Sequence, residues 1–142
     1  MKASEALQRA QLRTDDKQYR VVRLPAGAIW VAAGVLAEVA LPFSALIADA
    51  DEVTLVLPSE AWDAFKTRLP DYAELPALYR LITFDLELPP ELTGFIALVG
   101  QILAEAGVPV LTYAAYTRDH VLVPAEKFQT AWDVLRAAQQ GA

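Results

Sequence analysis

Two regular patterns of apolar and polar positions run through the second half of this chain. Residues 79–88 alternate between apolar and polar side chains, which predicts a half-buried strand. One face carries Ile82, Phe84, Leu86 and Leu88, and the other carries Thr83, Asp85 and Glu87. Residues 93–107 instead repeat apolar side chains at helical spacing. Thr93 is a favourable N-cap for this helix, and Gly107 is a favourable stop. The predicted apolar stripe contains Phe95, Leu98, Val99, Ile102, Leu103 and Ala106.

Two stretches of the chain share one design. In "LVLPSEAWDAFKTRL" (55–69) and "VLVPAEKFQTAWDVL" (121–135), a short apolar strand ends in proline, and an amphipathic helix follows with a glutamate in its first turn. Proline suits this junction because the first helical N–H groups need no intrahelical acceptor, and the glutamate complements the helix dipole. We expect the second helix to pack on a sheet through Phe128, Ala131, Trp132, Leu135 and Ala138.

A further strand precedes each repeat and forms a β-hairpin with it. Residues 108–116 are joined to the later repeat by the turn Thr117-Arg118-Asp119, and residues 43–49 lead through an acidic turn into the earlier one. The second half therefore reads β-α-β-β-α, a ferredoxin-like unit without its last strand. We expect Tyr19 to Leu24, in the amino-terminal half, to supply that strand.

The first half of the chain is less regular. Tyr19 to Leu24 is a plausible strand, but residues 26–42 fit a short helix, a strand or both. Met1 to Lys17 reads as a polar helix or a loose arm, and we expect a solvated appendage. The predicted organisation is a 1–17 extension, a degenerate first unit at 18–76 and a second unit at 77–142. The fold class is α+β, with two intertwined ferredoxin-like units whose antiparallel sheets carry helices on one face.

Composition removes several classes of function. The 142 residues are 55% apolar, which excludes a disordered chain, and no cysteine is present. Disulfides, thiolate metal sites and thiol nucleophiles are therefore absent, and a single histidine leaves no transition-metal cluster. The formal net charge of -6 disfavours nucleic acid, whose binding depends on Lys and Arg.

Residues 24–48 imitate a membrane span because they are nearly free of charge. Pro25 and Pro42 bracket the segment, however, and Glu38 lies near its middle, which a spanning helix would not tolerate well. A signal peptide fits no better, since 23 polar or mixed residues precede the apolar run. We expect a cytoplasmic protein that does not enter the membrane.

The later half of the chain resembles a known family. The motifs "LAEAGV" and "AYTRDHVLVP", with the helix that follows, are similar to the carboxy-terminal unit of small tandem ACT-domain proteins, the branch that includes the cytosolic arginine sensor of the mTOR pathway. "EVTLVLP" extends the likeness to the first unit, while residues 26–41 depart from the pattern. The resemblance implies ferredoxin-like regulatory modules that bind amino acids at interfaces between copies.

The predicted strand order places a candidate binding site at one sheet edge. In a 4-1-3-2 order the strand starting at Asp119 lies beside the strand ending at Leu88, so Asp119 approaches the loop from Glu91 to Gly94. The helix N-terminus there attracts a carboxylate, and Gly94 permits close approach of the backbone. Asp119 suits an ammonium group, and Tyr116 and Arg118 are near enough to contact a side chain. Together these features match an amino-acid zwitterion.

The resemblance to the arginine sensor adds residues to this site. It places Asp119 at a ligand-contacting aspartate and Ala115, Tyr116 and Arg118 in the adjoining run. Arg118 stands where the sensor has an aromatic residue, and a cation there would disfavour arginine or lysine as the ligand. The predicted ligand-binding residues are Leu92, Thr93, Gly94, Phe95, Ala115, Tyr116, Arg118 and Asp119. The alternative is that Asp119 only forms a turn, Thr93 only caps its helix and Arg118 is only solvated.

No catalytic constellation is evident in the sequence. Ser4, Ser44 and Ser59 lie outside nucleophile motifs, and Asp119 and His120, as neighbours in a strand, point to opposite faces. We predict no cofactor and no metal. The predicted protein is an amino-acid-binding regulatory or sensor module that forms a homodimer, since sheet edges and the apolar segment Ala26 to Ala40 need cover. The alternative is a structural or protein-interaction module without a small-molecule ligand.

Overall fold

The computed structural model describes residues 1–39 and 41–141. Its helices are α1 (Ala3–Arg9), α2 (Ile29–Val39), α3 (Ser59–Phe65), α4 (Phe95–Glu105) and α5 (Phe128–Gln139). Its strands are β1 (Gln11–Arg13), β2 (Tyr19–Pro25), β3 (Ala45–Ala48), β4 (Glu52–Pro58), β5 (Ala73–Glu74), β6 (Tyr79–Asp85), β7 (Leu111–Ala114) and β8 (Asp119–Pro124). No helix in these ranges is long and apolar enough to cross a bilayer.

The chain divides into two compact units. One, which we call the central unit, is the continuous stretch Lys17–Leu78. The other, the split unit, combines Met1–Asp16 with Tyr79–Ala142. The central unit is therefore inserted into the sequence of the split unit, which is built from the segments before and after it.

The central unit is a complete ferredoxin-like fold. Its strands pair antiparallel in the order β3-β4-β2-β5, with α2 linking β2 to β3 and α3 preceding β5. One face of this sheet packs on the helices through Val22, Leu24, Val53, Leu55, Leu57, Ala32, Val35 and Trp62. The segment that the sequence left open is helical: a 3-10 turn at Ala26–Ala28 continues into α2, and Ala40 lies outside the described residues.

The split unit has the same arrangement of strands in space, in the order β1-β6-β8-β7, although its edge strand β1 comes first in the sequence. Strand β1 takes the fourth-strand position beside β6. The prediction that the amino-terminal half supplies this strand is confirmed, but the choice of Tyr19 to Leu24 was wrong. Those residues belong to β2, which pairs with β4 and β5 inside the central unit. The strand that completes the split unit is instead Gln11–Arg13.

The amino-terminal segment is part of a core, so the expectation of a solvated appendage was wrong. Ala6, Leu7, Ala10 and Leu12 are buried and join the hydrophobic cluster formed by α4, α5 and the sheet. The Gln139 amide donates to the carbonyl oxygens of Leu7 (2.9 Å) and Ala10 (2.6 Å). These bonds satisfy carbonyl groups near the end of α1, which has no intrahelical donor for them.

Both predicted helical stripes face the core of the split unit. The apolar residues predicted for α4 and α5 all lie in or against the same cluster as Ile82, Phe84, Val121 and Val123. Helix α4 ends as predicted at Gly107, whose φ is 73°. The N–H groups of Gly107 and Val108 donate to the carbonyls of Ala104 (3.0 Å) and Leu103 (2.9 Å), which is the Schellman arrangement.

Candidate functional site

A pocket of about 250 Å³ opens at the edge of the split unit, where the loop after β6 meets the turn between β7 and β8. Of the eight predicted site residues, five line it: Leu92, Phe95, Ala115, Tyr116 and Asp119. Thr93, Gly94 and Arg118 do not belong to the lining. The sequence interpretation missed the remaining lining residues, which are Leu88, Pro89, Pro90, Ala114 and Thr117. The adjacent prolines were the available signal, since they favour a stiff loop immediately after a strand.

Strand pairing and two backbone hydrogen bonds in the loop after β6 shape this pocket. In the sheet, Asp119 lies opposite Phe84 on one side and Ala114 on the other. The Leu88 N–H donates to the Thr117 carbonyl (2.9 Å), which ties the loop after β6 to the β7–β8 turn. The Leu92 N–H donates to the Pro89 carbonyl (3.0 Å), which folds the loop toward α4. The order of strands expected from the sequence is confirmed here.

The turn itself is one residue longer than the predicted Thr117-Arg118-Asp119 and ends one residue earlier. It spans Ala115 to Arg118 and is closed by a hydrogen bond from the Ala115 N–H to the Arg118 carbonyl (2.9 Å). Asp119 is consequently the first residue of β8 and does not lie in the turn. Its side chain is directed by the pleat of the strand to the face that carries α4 and α5.

Asp119 carries an uncompensated charge. Its side chain is half-buried, and within the described residues it accepts no hydrogen bond and makes no ion pair. Partial burial raises the pKa of this carboxyl, because removal from water disfavours the ionised form. An ammonium group in the pocket would relieve that cost by supplying both a charge and hydrogen-bond donors.

The central unit shows what a turn-forming aspartate looks like. In its hairpin, Asp49 Oδ1 accepts hydrogen bonds from the N–H groups of Asp51 (2.8 Å) and Glu52 (2.9 Å). Asp119 makes no comparable bond in the described part of the chain. The alternative that Asp119 serves only to form a turn therefore lacks the interaction that such a role needs.

The N-terminus of α4 lies beside the pocket through Phe95, which is 4% exposed. The prediction that Thr93 caps this helix was wrong, because the N-cap residue is Gly94 and no side chain bonds the first-turn N–H groups. Gly94 has a φ of 84°, a conformation that favours glycine. A helix start without a side-chain cap leaves donors for an external carboxylate.

Arg118 turns to the other side of the hairpin. Its Nε lies 2.6 Å from Asp85 Oδ1, and its guanidinium also donates to Thr117 Oγ1 (2.8 Å). Arg13 of β1 approaches the second Asp85 oxygen at 3.4 Å. The Arg118 hydrogen bond holds the pKa of Asp85 below its usual value, against an opposing effect of burial. Asp85 thus balances the charge of Arg118. The expectation that Arg118 would disfavour arginine or lysine as the ligand is therefore no longer supported.

His120 lies on the sheet face opposite to Asp119, as neighbours in a strand must. Its Nδ1 is 2.8 Å from Thr83 Oγ1, and burial lowers the pKa of the imidazole, assisted by the positive charges of Arg13 and Arg118. Asp119 and His120 therefore do not form a catalytic pair. Among the described residues, no group of three His, Cys, Asp or Glu side chains is placed to hold a metal ion.

Comparison with known proteins identifies a family for most of the later part of the split unit. Residues 74–137 match the model of the ACT domain family. ACT domains are regulatory modules that bind amino acids. No curated protein matches the sequence.

Solved structures extend the likeness over nearly the whole chain. A protein of unknown function from Vibrio cholerae, described as a possible transport protein, is 26% identical with a TM-score of 0.73, covering 94% of this chain and 92% of that one. The aspartokinase alpha and beta subunits are 14% identical, with a TM-score of 0.69 and coverages of 91% and 97%. The ligand-free regulatory subunit of aspartate kinase from Thermus thermophilus is 14% identical, with a TM-score of 0.66 and coverages of 90% and 97%. The last two likenesses concern the fold alone.

Proposed function

We propose that this protein is a non-catalytic, cytoplasmic regulatory module that binds an amino acid in the pocket beside Asp119, at an interface between ACT units. The observation that carries this proposal is the half-buried Asp119 carboxylate, which has no partner within the described residues. A buried charge of this kind costs stability unless something pairs with it. An ACT domain in this part of the chain supports a ligand as that partner.

The charges around the pocket set the orientation of the ligand. The ammonium group lies against Asp119, and the carboxylate lies toward the N-terminus of α4, where the uncapped N–H groups carry partial positive charge. The regulatory subunits of aspartate kinase share this fold and support a regulatory role. The candidate residues are the five sequence-derived ones that line the pocket, Leu92, Phe95, Ala115, Tyr116 and Asp119, with Leu88 and Pro90 added from the lining. Thr93 and Gly94 remain candidates through the N-terminus of α4, and Arg118 contributes through its bond to Asp85.

A homodimer is part of the proposal, because the pocket is open on one side. Tyr116 lines the pocket and is 100% exposed. A second copy of the chain could therefore pack on this aromatic side chain and close the pocket. Sedimentation of the protein at micromolar concentration should show a dimer. A monomer at that concentration, with undiminished ligand binding, would contradict the shared site.

The second candidate is a protein-interaction module without a ligand. Trp30 favours it, since this large apolar side chain of α2 is 88% exposed. Exposed aromatic residues of this size are frequent anchors of protein interfaces. Under this alternative the protein melts at the same temperature with and without amino acids.

A thermal-shift panel of the common amino acids, followed by calorimetric titration of the best ligand, tests the proposal. Asp119→Asn should weaken binding by about 1.5 to 3 kcal/mol, the range for a hydrogen bond to a charged group. The matched control is Asp133→Asn, which removes the same charge from an exposed position on α5. Equal affinities for the two variants would refute the site. A panel without any ligand would instead favour the interaction module.

A further inference from the structure

We infer that the Asp119 pocket selects a neutral amino acid with an apolar side chain, and that each chain binds one molecule. This inference rests on the proposed function and specifies its ligand. Within the described residues, Asp119 is the only residue of the lining with a charge at neutral pH. Leu88, Pro89, Pro90, Leu92 and Phe95 contribute apolar side chains to the same lining.

Among the described residues, the lining includes no cationic side chain that could pair with an acidic side chain of a ligand. Aspartate or glutamate would bring a second carboxylate into a pocket that already holds Asp119. Arg118, the cation nearest in sequence, is bonded to Asp85 at 2.6 Å and lies outside the lining. Transfer of an unpaired charge from water to such a surface is unfavourable.

A basic side chain would also be unfavourable in this pocket. The α-ammonium group of any amino acid requires Asp119, and no second acidic residue of the described chain lines the pocket. The ammonium of lysine or the guanidinium of arginine would then face leucine and proline side chains. An aliphatic side chain has no charge that must be removed from water. Its binding also buries apolar surface of both the ligand and the pocket.

The size of the cavity agrees with a single small ligand. At about 250 Å³ it lies below the range of roughly 300–1,000 Å³ that is usual for drug-sized molecules. A nucleotide or a peptide would not fit within it, whereas one aliphatic amino acid would.

The central unit lacks the acceptor that the ligand requires. Tyr79 pairs with Pro124 in the split unit, and Tyr19 pairs with Pro58 in the central unit. In this common register, the residue equivalent to Asp119 is Val53, which lies opposite Leu24 and is 1% exposed. A buried valine cannot bind an ammonium group, so the central unit has no second copy of this site at the equivalent position.

The experiment is calorimetric titration of the full-length protein with ligands of matched size. We expect leucine or valine to bind about tenfold or more tightly than aspartate or lysine, with one molecule per chain. The leucine analogues that lack either the ammonium or the carboxylate group should bind much more weakly than leucine. Leu92→Arg, checked for folding by its melting curve, should raise the affinity for aspartate relative to that for leucine.

The outcomes distinguish an error in the inferred ligand class from a failure of the proposed function. If aspartate or lysine binds as tightly as leucine and the binding depends on Asp119, the inference on the ligand class is wrong and the proposed function stands. Two molecules per chain would overturn the assignment to the split unit. If no amino acid binds, the proposed function fails and the inference fails with it. If the protein prefers leucine and Asp119→Asn loses this preference, both the inferred ligand class and the proposed function are supported. This conclusion does not depend on whether Leu92→Arg folds.

Discussion

Leu12 lies directly opposite Phe84 in antiparallel register, although one belongs to the start of the chain and the other to its later half. Leu12 is 7% exposed and Phe84 is fully buried, and both lie in the cluster that holds α4 and α5. Thr14, the residue after β1, also donates a hydrogen bond from its Oγ1 to the Leu81 carbonyl of β6 at 2.6 Å. The first residues of the chain are therefore structural components of the core of the split unit.

Leu12→Ala should lower the free energy of unfolding by about 2 to 4 kcal/mol, because it removes buried apolar surface and leaves a cavity beside Phe84. The control is Gln11→Ala, in the same strand but exposed, which should change stability by less than about 0.5 kcal/mol. Urea denaturation of both variants gives the comparison. Similar small effects would mean that β1 is not part of the cooperative unit.

Gly100, inside α4, and Gly107, just after its end, should respond to substitution by alanine in opposite directions. Gly107→Ala should destabilise the protein by about 1 to 2 kcal/mol, because the residue has a φ of 73° in the Schellman turn. Gly100→Ala should stabilise it by about 0.5 to 1 kcal/mol, since Gly100 is inside the helix and an added Cβ would meet nothing within 4 Å. Thermal melting of both variants measures the pair. Two changes of the same sign would contradict this account of the helix end.

Asp119 should make the folded state less stable as pH rises. Its pKa is raised in the folded state, so the native protein retains this proton to a higher pH than the unfolded chain does. The cost is absent below the unfolded value of about 3.9 and is complete once the pH exceeds the native pKa. Without ligand, Asp119→Asn should equal the wild type at low pH and exceed it in stability at neutral pH. Asp133→Asn is the control, and an Asp119→Asn protein less stable at neutral pH would oppose this view.

Asp85 should show the opposite dependence on pH. Its pKa is lowered, first of all by the hydrogen bond from Arg118, so its contribution to stability is present above about pH 3.9 and is lost as pH falls through the native pKa. Asp85→Asn should therefore be less stable than the wild type at neutral pH and should approach it in acid. The loss should be small, because the pair is partly exposed to solvent.

Urea titrations of wild type and Asp85→Asn from pH 7 down to about pH 2 test this prediction. Because Arg118 ends the turn that lines the pocket, hydrogen exchange of the Ala115 amide should also become faster in the variant. An unchanged pH profile and unchanged exchange would show that the Arg118–Asp85 contact does not hold the turn.

The sequence by itself determined the elements that depend on local periodicity. The stripes of α4 and α5 were predicted residue by residue, because an apolar face recurs every three to four positions in any helix that packs on a sheet. Gly107 was predicted as a helix stop because glycine adopts the required positive φ without strain. The hairpins and the edge that carries Asp119 followed from strand order alone.

Only the tertiary structure decided the features that depend on distant partners. Strand β1 is three residues long, too short for a period to be visible, and its place beside β6 is fixed by hydrogen bonds to residues far along the chain. Arg118 looked like a neighbour of the pocket, but the position of Asp85 draws its guanidinium to the other side. The absence of any described partner for Asp119 likewise depends on which groups the folded chain brings near it, because hydrogen bonds and ion pairs depend on distances in space that sequence spacing does not contain.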